Sequence, residues 1–142
     1  MELERPTAYQ YAWEKHQGQT YPRKDTEWAY MTHCIRVAEP FVETPLYAPA
    51  LLHDVVEDTD ATITEIVKSF DAKTAEIVEA LTRSEGETYT EYIERVKRNE
   101  DATAIKLVDL ADNLMHCLRP DAPEFTHSLI DRYLKAIRQL AL

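Results

Sequence analysis

Apolar residues recur along most of this chain at spacings of three and four, the period of an amphipathic helix, and no segment alternates convincingly with the period of two that marks a strand. The pattern predicts a first helix over about residues 7 to 17, then a polar connection, GQTYPRKDT. A second helix runs from about Glu27 to Glu39 and stops at Pro40. Pro45 and Pro49 stand where first-turn prolines are tolerated, ahead of the apolar stretch ALLHDVV. Thr62 with Glu65 and Thr88 with Glu91 read as capping boxes, and Asp71 and Asp101 as further N-caps. Pro120 and Pro123 follow the long segment ATAIKLVDLADNLMHCL, and LIDRYLKAIRQL closes the chain as an amphipathic helix. The reading is an all-α bundle of about six or seven helices, one domain over residues 1–142.

Composition agrees. Only two glycines occur in 142 residues, too few for the turns of a hairpin-rich fold, and 44% hydrophobic with 30% charged residues is ordinary for a globular domain. The formal net charge of −10 repels nucleic acid and anionic membranes, so neither is an expected partner. A small anionic substrate remains compatible where a metal or a few basic residues reverse the field locally. Cys34 and Cys117 lack the spacing of a zinc cluster or redox pair, and the N-terminal stretch has no signal-peptide core. The expectation is a cytoplasmic protein with reduced thiols. No heptad or apolar patch specifies an oligomeric state.

Three segments carry candidate chemistry. In the first, the apolar run Ala50-Leu51-Leu52 and Val55-Val56 is interrupted by His53-Asp54 and followed by Glu57-Asp58. On a continuous helix these four polar residues share one face, and clustered carboxylates repel unless a cation or protons neutralise them. In the second, Asp109, Asp112, Asn113 and His116 draw a polar stripe along an otherwise apolar helix. In the third, His33 sits among residues with core spacing: Met31, Ile35, Val37 and Ala38. Each has a plain alternative, a solvated face for the first two and a satisfied core histidine for the third. Taken together, two imidazoles and two carboxylates suit manganese, iron or zinc rather than calcium. Such an ion makes hydroxide available near neutral pH and offsets charge on a phosphoryl oxygen.

The spacing of His33, His53-Asp54 and Asp109 resembles the metal-binding pattern of the HD superfamily, named for its His-Asp doublet. More narrowly, HDVVEDT at 53–59, YMTHCIRVA at 30–38 and KLVDLADN at 106–113 resemble the hydrolase domain of RelA/SpoT-type alarmone enzymes. The resemblance implies removal of the 3′-pyrophosphate from guanosine tetra- or pentaphosphate, typically with manganese, in a small stand-alone hydrolase. It implies His33, His53, Asp54 and Asp109 as metal ligands, and Glu57 and Asp58 as the pair that handles the attacking water and the leaving group. It further implies Asn113 and Tyr133 at the nucleotide. Arg23-Lys24 resemble a phosphate-binding pair, one residue farther from His33 than in the family pattern, with ordinary loop charges as the plain alternative. Asp112 stands where longer enzymes often carry histidine. Arg95, Lys97 and Arg98 read as a solvated basic face. Two alternatives stay open at this level: a related phosphohydrolase of ppApp, a nicotinamide cofactor phosphate or simple nucleotides, and a non-catalytic nucleotide sensor.

Overall fold

A computed structural model describes residues 6–21 and 29–142. The chain forms two compact units, Met1–Thr82 and Arg83–Leu142. Among the described residues all regular structure is helical apart from one isolated bridge, Thr20 to Ala29. No helix of these residues is long and apolar enough to cross a membrane.

The first unit holds α1 (Ala8–Lys15), α2 (Met31–Ala38), α3 (Tyr47–Leu51), α4 (Val55–Asp58), α5 (Ile63–Ser69) and α6 (Ala72–Leu81). Thr7 caps α1 through a reciprocal box with Gln10. Asp71 caps α6 as expected, accepting from the Thr74 N–H at 2.6 Å. At α5 only half of the expected box forms. Thr62 accepts from the Glu65 N–H, while the Glu65 carboxylate takes the Tyr11 hydroxyl at 2.8 Å and so ties α5 to α1. α3 packs against α1, α2 and α6, and Ala50, Leu51 and Leu52 are fully buried with Val37, Val55, Ile66 and Val78. Each such aliphatic side chain contributes about 1.5–3 kcal/mol. Pro49 is the third residue of α3, where its missing N–H is one of the four that no helical carbonyl reaches.

The expected continuous helix through His53 is broken. α3 ends at Leu51 and α4 starts at Val55, so His53 and Asp54 occupy the tight turn between them. There the chain shifts to three-residue hydrogen bonds, His53 N–H to Ala50 O at 3.4 Å and Val55 N–H to Leu52 O at 3.0 Å. The His53 ring adds a bond of its own to Ala50 O, from Nδ1 at 2.7 Å.

The second unit packs α7 (Tyr89–Lys97), α8 (Glu100–Cys117) and α9 (His127–Ala141) pairwise around Ile93, Val96, Ile105 and Leu110. The Thr88–Glu91 box is complete. The cap of α8 is Asn99, accepting from the Ala102 N–H; Asp101, expected there, lies in the first turn, where its charge still favours the helix N-terminus. Gln139 on α9 donates to Thr90 O and Glu94 Oε1 on α7, at 3.0 and 2.8 Å. Arg95 binds Glu87 through Nε and a terminal nitrogen at 2.9 and 3.0 Å.

The Arg95 hydrogen bonds hold the Glu87 carboxyl at about 2, well below the ordinary carboxylate value of 4.5. A depressed folded pKa stabilises fully above the unfolded value and loses that contribution as pH falls through the folded one. Glu87→Gln is therefore expected to cost on the order of 0.5–1 kcal/mol at neutral pH, the upper range of a solvent-screened pair with bidentate geometry. In thermal melts the gap from the parent chain should close as pH drops from about 4.5 toward 2; a gap independent of pH would refute the ion pair as its source.

Candidate metal centre

His33 projects from the first turns of α2 and is 1% exposed; His53, in the turn after α3, is 2% exposed. His33 is held by rings. Tyr21 stacks on it at 4.4 Å between centroids and 6° between planes, and His53 meets it edge-on at 5.2 Å. His53 is held by the backbone, since donation from Nδ1 to Ala50 O leaves Nε2 of the neutral ring with its lone pair directed away from that bond. That Nε2 lies 2.9 Å from Asp54 Oδ2, and His33 Nε2 lies 3.8 Å from the same oxygen. One donor atom from each of the three side chains falls within 4.8 Å of the others.

Two lone-pair atoms facing each other at 2.9 Å repel unless they share a proton or a metal ion. Ligands about 2.1 Å from a metal and roughly at right angles stand about 3 Å apart, so this separation suits adjacent positions on one ion. The donor set fits a borderline divalent metal. The His53–Ala50 bond is the kind of support that fixes tautomer and orientation in metal-bound histidine.

Tyr30, three residues before His33, completes the group. Its hydroxyl is shared between Asp54 Oδ2 at 2.5 Å and Asp58 Oδ2 at 3.2 Å. Burial, with Asp54 and Asp58 beside it, raises the phenol far above its ordinary range, so it stays a donor. Asp58 lies with Glu57 on α4, at the exposed rim. Desolvation, then the charges of Asp54 and Glu57, push the Asp58 carboxyl up to about 7, against the pull of the Tyr30 hydrogen bond.

In the second unit the polar stripe of α8 is present but unevenly buried. Asp109 is 2% exposed, whereas Asp112, Asn113 and His116 are half-buried. Lys106 Nζ donates to Asp109 Oδ2 at 2.8 Å and Asn113 Nδ2 to Oδ1 at 3.2 Å. Burial works to lower the Lys106 ammonium, but the Asp109 carboxylate, with Tyr92 and Tyr89, outweighs it and keeps the group charged. His116 Nδ1 lies 2.8 Å from Asp112 O, one turn back. Tyr133 on α9 is half-buried, its phenol pushed up to about 12 by burial and then by Cys117, Tyr89 and Asp109. The Arg132 guanidinium lies 3.8 Å from the centre of the Tyr89 ring. Arg95 is taken up by Glu87, while Lys97 and Arg98 are exposed, as a solvated face requires. Arg23 and Lys24 lie outside the described residues.

A family profile described as HD domain matches residues 8–119. The chain belongs to the HD domain family. Among its relatives is guanosine-3′,5′-bis(diphosphate) 3′-pyrophosphohydrolase MESH1 of Danio rerio, 30% identical over 142 residues, covering 92% of this chain and 78% of that protein. The guanosine-3′,5′-bis(diphosphate) 3′-pyrophosphohydrolase of Aquifex aeolicus is 32% identical over 119 residues, covering 75% of this chain. The bifunctional (p)ppGpp synthase/hydrolase SpoT of Escherichia coli is 33% identical over 131 residues, covering 80%. This chain spans only 17% and 18% of the length of those two bacterial proteins. A solved structure of a metazoan ortholog of SpoT, described as hydrolysing ppGpp, superposes with a TM-score of 0.73 at 28% identity, over 94% of this chain and 80% of that one.

Tyr30 and Lys106 escaped the sequence reading. The signal for Lys106 was a lone cation on the apolar face of α8, three residues before an aspartate. Tyr30 had only its i, i+3 spacing to His33. Tyr30→Phe keeps the ring packing and removes the donor shared by Asp54 and Asp58. The folded variant is expected to bind divalent metal about tenfold more weakly, the lower end for loss of a ligand-supporting hydrogen bond. Unchanged affinity in a competition titration would exclude Tyr30 from holding Asp54.

Proposed function

We propose that this chain is a metal-dependent hydrolase that removes the 3′-pyrophosphate of guanosine tetra- or pentaphosphate. The observation that carries the reading is the convergence of His33 and His53 Nε2 on one Asp54 oxygen, buried and held by Tyr30. Its support from kinship is the activity for which relatives such as the Danio rerio protein are named, most of whose length this chain covers. Both units belong to one HD domain in this reading, since the family match crosses the boundary between them.

Asp109 joins His33, His53 and Asp54 as the fourth ligand, and manganese is the ion, with iron or zinc as alternatives. When bound, the ion supplies hydroxide near neutral pH and offsets charge on a phosphoryl oxygen. The protein residues do the rest. Glu57 and Asp58 take the proton of the attacking water and return one to the departing oxygen, Asp58 being the carboxyl whose proton affinity is raised. Tyr30 fixes Asp58 relative to Asp54. Asn113 and Tyr133 hold the nucleotide, and Arg23-Lys24 meet its phosphates.

The deciding experiment is a manganese-dependent hydrolysis assay of ppGpp with ppApp alongside, products resolved by ion exchange. Release of GDP and pyrophosphate, abolished by chelator and by His53→Ala, is expected. Cleavage of ppApp alone would keep the mechanism and change the base; binding of metal and nucleotide without turnover would favour the sensor reading. Glu57→Gln should keep its metal while turnover falls by about 10² or more. Asp109→Asn, which leaves Lys106 an acceptor, should fold and lose both metal and activity. Full activity in either variant removes that residue from its role.

A further inference from the structure

His16 ends α1, its backbone N–H donating to Ala12 O at 3.0 Å, and its ring is 2% exposed. Its two ring nitrogens are in unlike positions. Nδ1 lies 2.8 Å from Gln19 Oε1, while the nitrogen of the same amide, Gln19 Nε2, donates to Asp58 O at 2.8 Å. An amide whose nitrogen is committed to a carbonyl turns its oxygen to the other partner, so His16 Nδ1 carries the proton. His16 Nε2 is then a bare lone pair, buried, with no hydrogen-bond partner among the described residues.

A buried acceptor left without a donor costs about 1–3 kcal/mol, and few native groups are left so. The surroundings indicate what donor is due. The ring lies 4.8 Å from that of Tyr30, which in turn lies 5.6 Å from His33. Asp54, His53 and His33 are all close enough to act on it electrostatically. The Tyr30 hydroxyl cannot serve, being committed to Asp54 and Asp58.

We propose that His16 Nε2 accepts a hydrogen bond from a water carried by the metal at His33, His53 and Asp54, making His16 a positioning residue of that centre. The relay runs from the Asp58 carbonyl through the Gln19 amide to the imidazole, so the backbone of the segment bearing Glu57 and Asp58 sets the direction in which the water is held. The inference rests on the metal-centre reading, and does not depend on which nucleotide is cleaved.

The test uses the whole chain with ¹⁵N-labelled histidine, observed by long-range ¹H–¹⁵N correlation during titration with diamagnetic Zn²⁺. His16 is expected as the Nδ1–H form throughout. Its Nε2 signal should move with the same midpoint as those of His33 and His53, but by less than a direct ligand. A stationary Nε2 signal, an Nε2–H tautomer, or a shift as large as that of His53 would each overturn the proposal. His16→Phe, which keeps the ring against Tyr30, should weaken Mn²⁺ binding about tenfold, the scale of a lost ligand-supporting contact. Parent-like affinity in that variant would also overturn it, and if the variant does not fold, the spectra of the parent chain decide. Absence of ppGpp turnover would refute the activity reading alone, leaving the spectral result to stand by itself.

Discussion

One carboxylate oxygen, Asp54 Oδ2, gathers two imidazole nitrogens and a phenol around itself inside a closely packed helical unit. Charge in such a place is tolerable only where its partners are fixed in advance, because side chains that had to reorganise would forfeit much of the attraction. The architecture of the first unit reads as a response to that demand. Pro49, Ala50 and the apolar run behind them seat α3 against three other helices, and the tight turn that follows aims His53 and Asp54 together. α2 brings His33, and the residue just before it brings the phenol. α1 is fastened to α5 through Tyr11 and Glu65, and Gln19 reaches the backbone at Asp58. Little of this support touches the expected ion, yet each part limits where a ligand atom can stand.

The second unit solves a related problem differently. Asp109 is buried on a long helix, with an ammonium one turn before it and an amide one turn after it. Lys106 compensates the carboxylate without consuming both oxygens, and its own charge rests against the Tyr92 ring, 5.1 Å from the centroid. Removing either member of such a pair leaves the other charge buried and alone, a cost of about 3–5 kcal/mol. The aspartate is thus tied to stability as well as to the role proposed for it.

Much of this was legible in the chain. The helical class followed from apolar spacing and glycine scarcity, and Thr88 and Asp71 were readable because a cap is a local bargain between a side chain and N–H groups a few residues away. Reading failed where a distant group intervened. Glu65 left its box for Tyr11, fifty-four residues earlier. The break before Val55 was invisible because ALLHDVV satisfies helical periodicity, and only the His53 ring bond and the shortened backbone bonds reveal the turn. The doublet itself was readable from its family resemblance, whereas Tyr30 depends on how the start of α2 approaches α4, which no local pattern encodes. For Lys106, helical spacing contained the answer, but a lysine on a helix is ordinarily solvated.

The two cysteines divide between the units, Cys34 in the first and Cys117 in the second, and both are buried thiols outside any disulfide among the described residues. A buried thiol reacts only when its surroundings open, and opening free energies differ from one cooperative region to another. The chain thus carries one natural clock in each unit. Cys34 directly follows His33, and the rate at which a thiol reagent reaches it measures breathing of the helix that presents that histidine, while Cys117 keeps time for the end of α8. Anything that locks the imidazole cluster without stiffening the rest would slow the first clock and leave the second running.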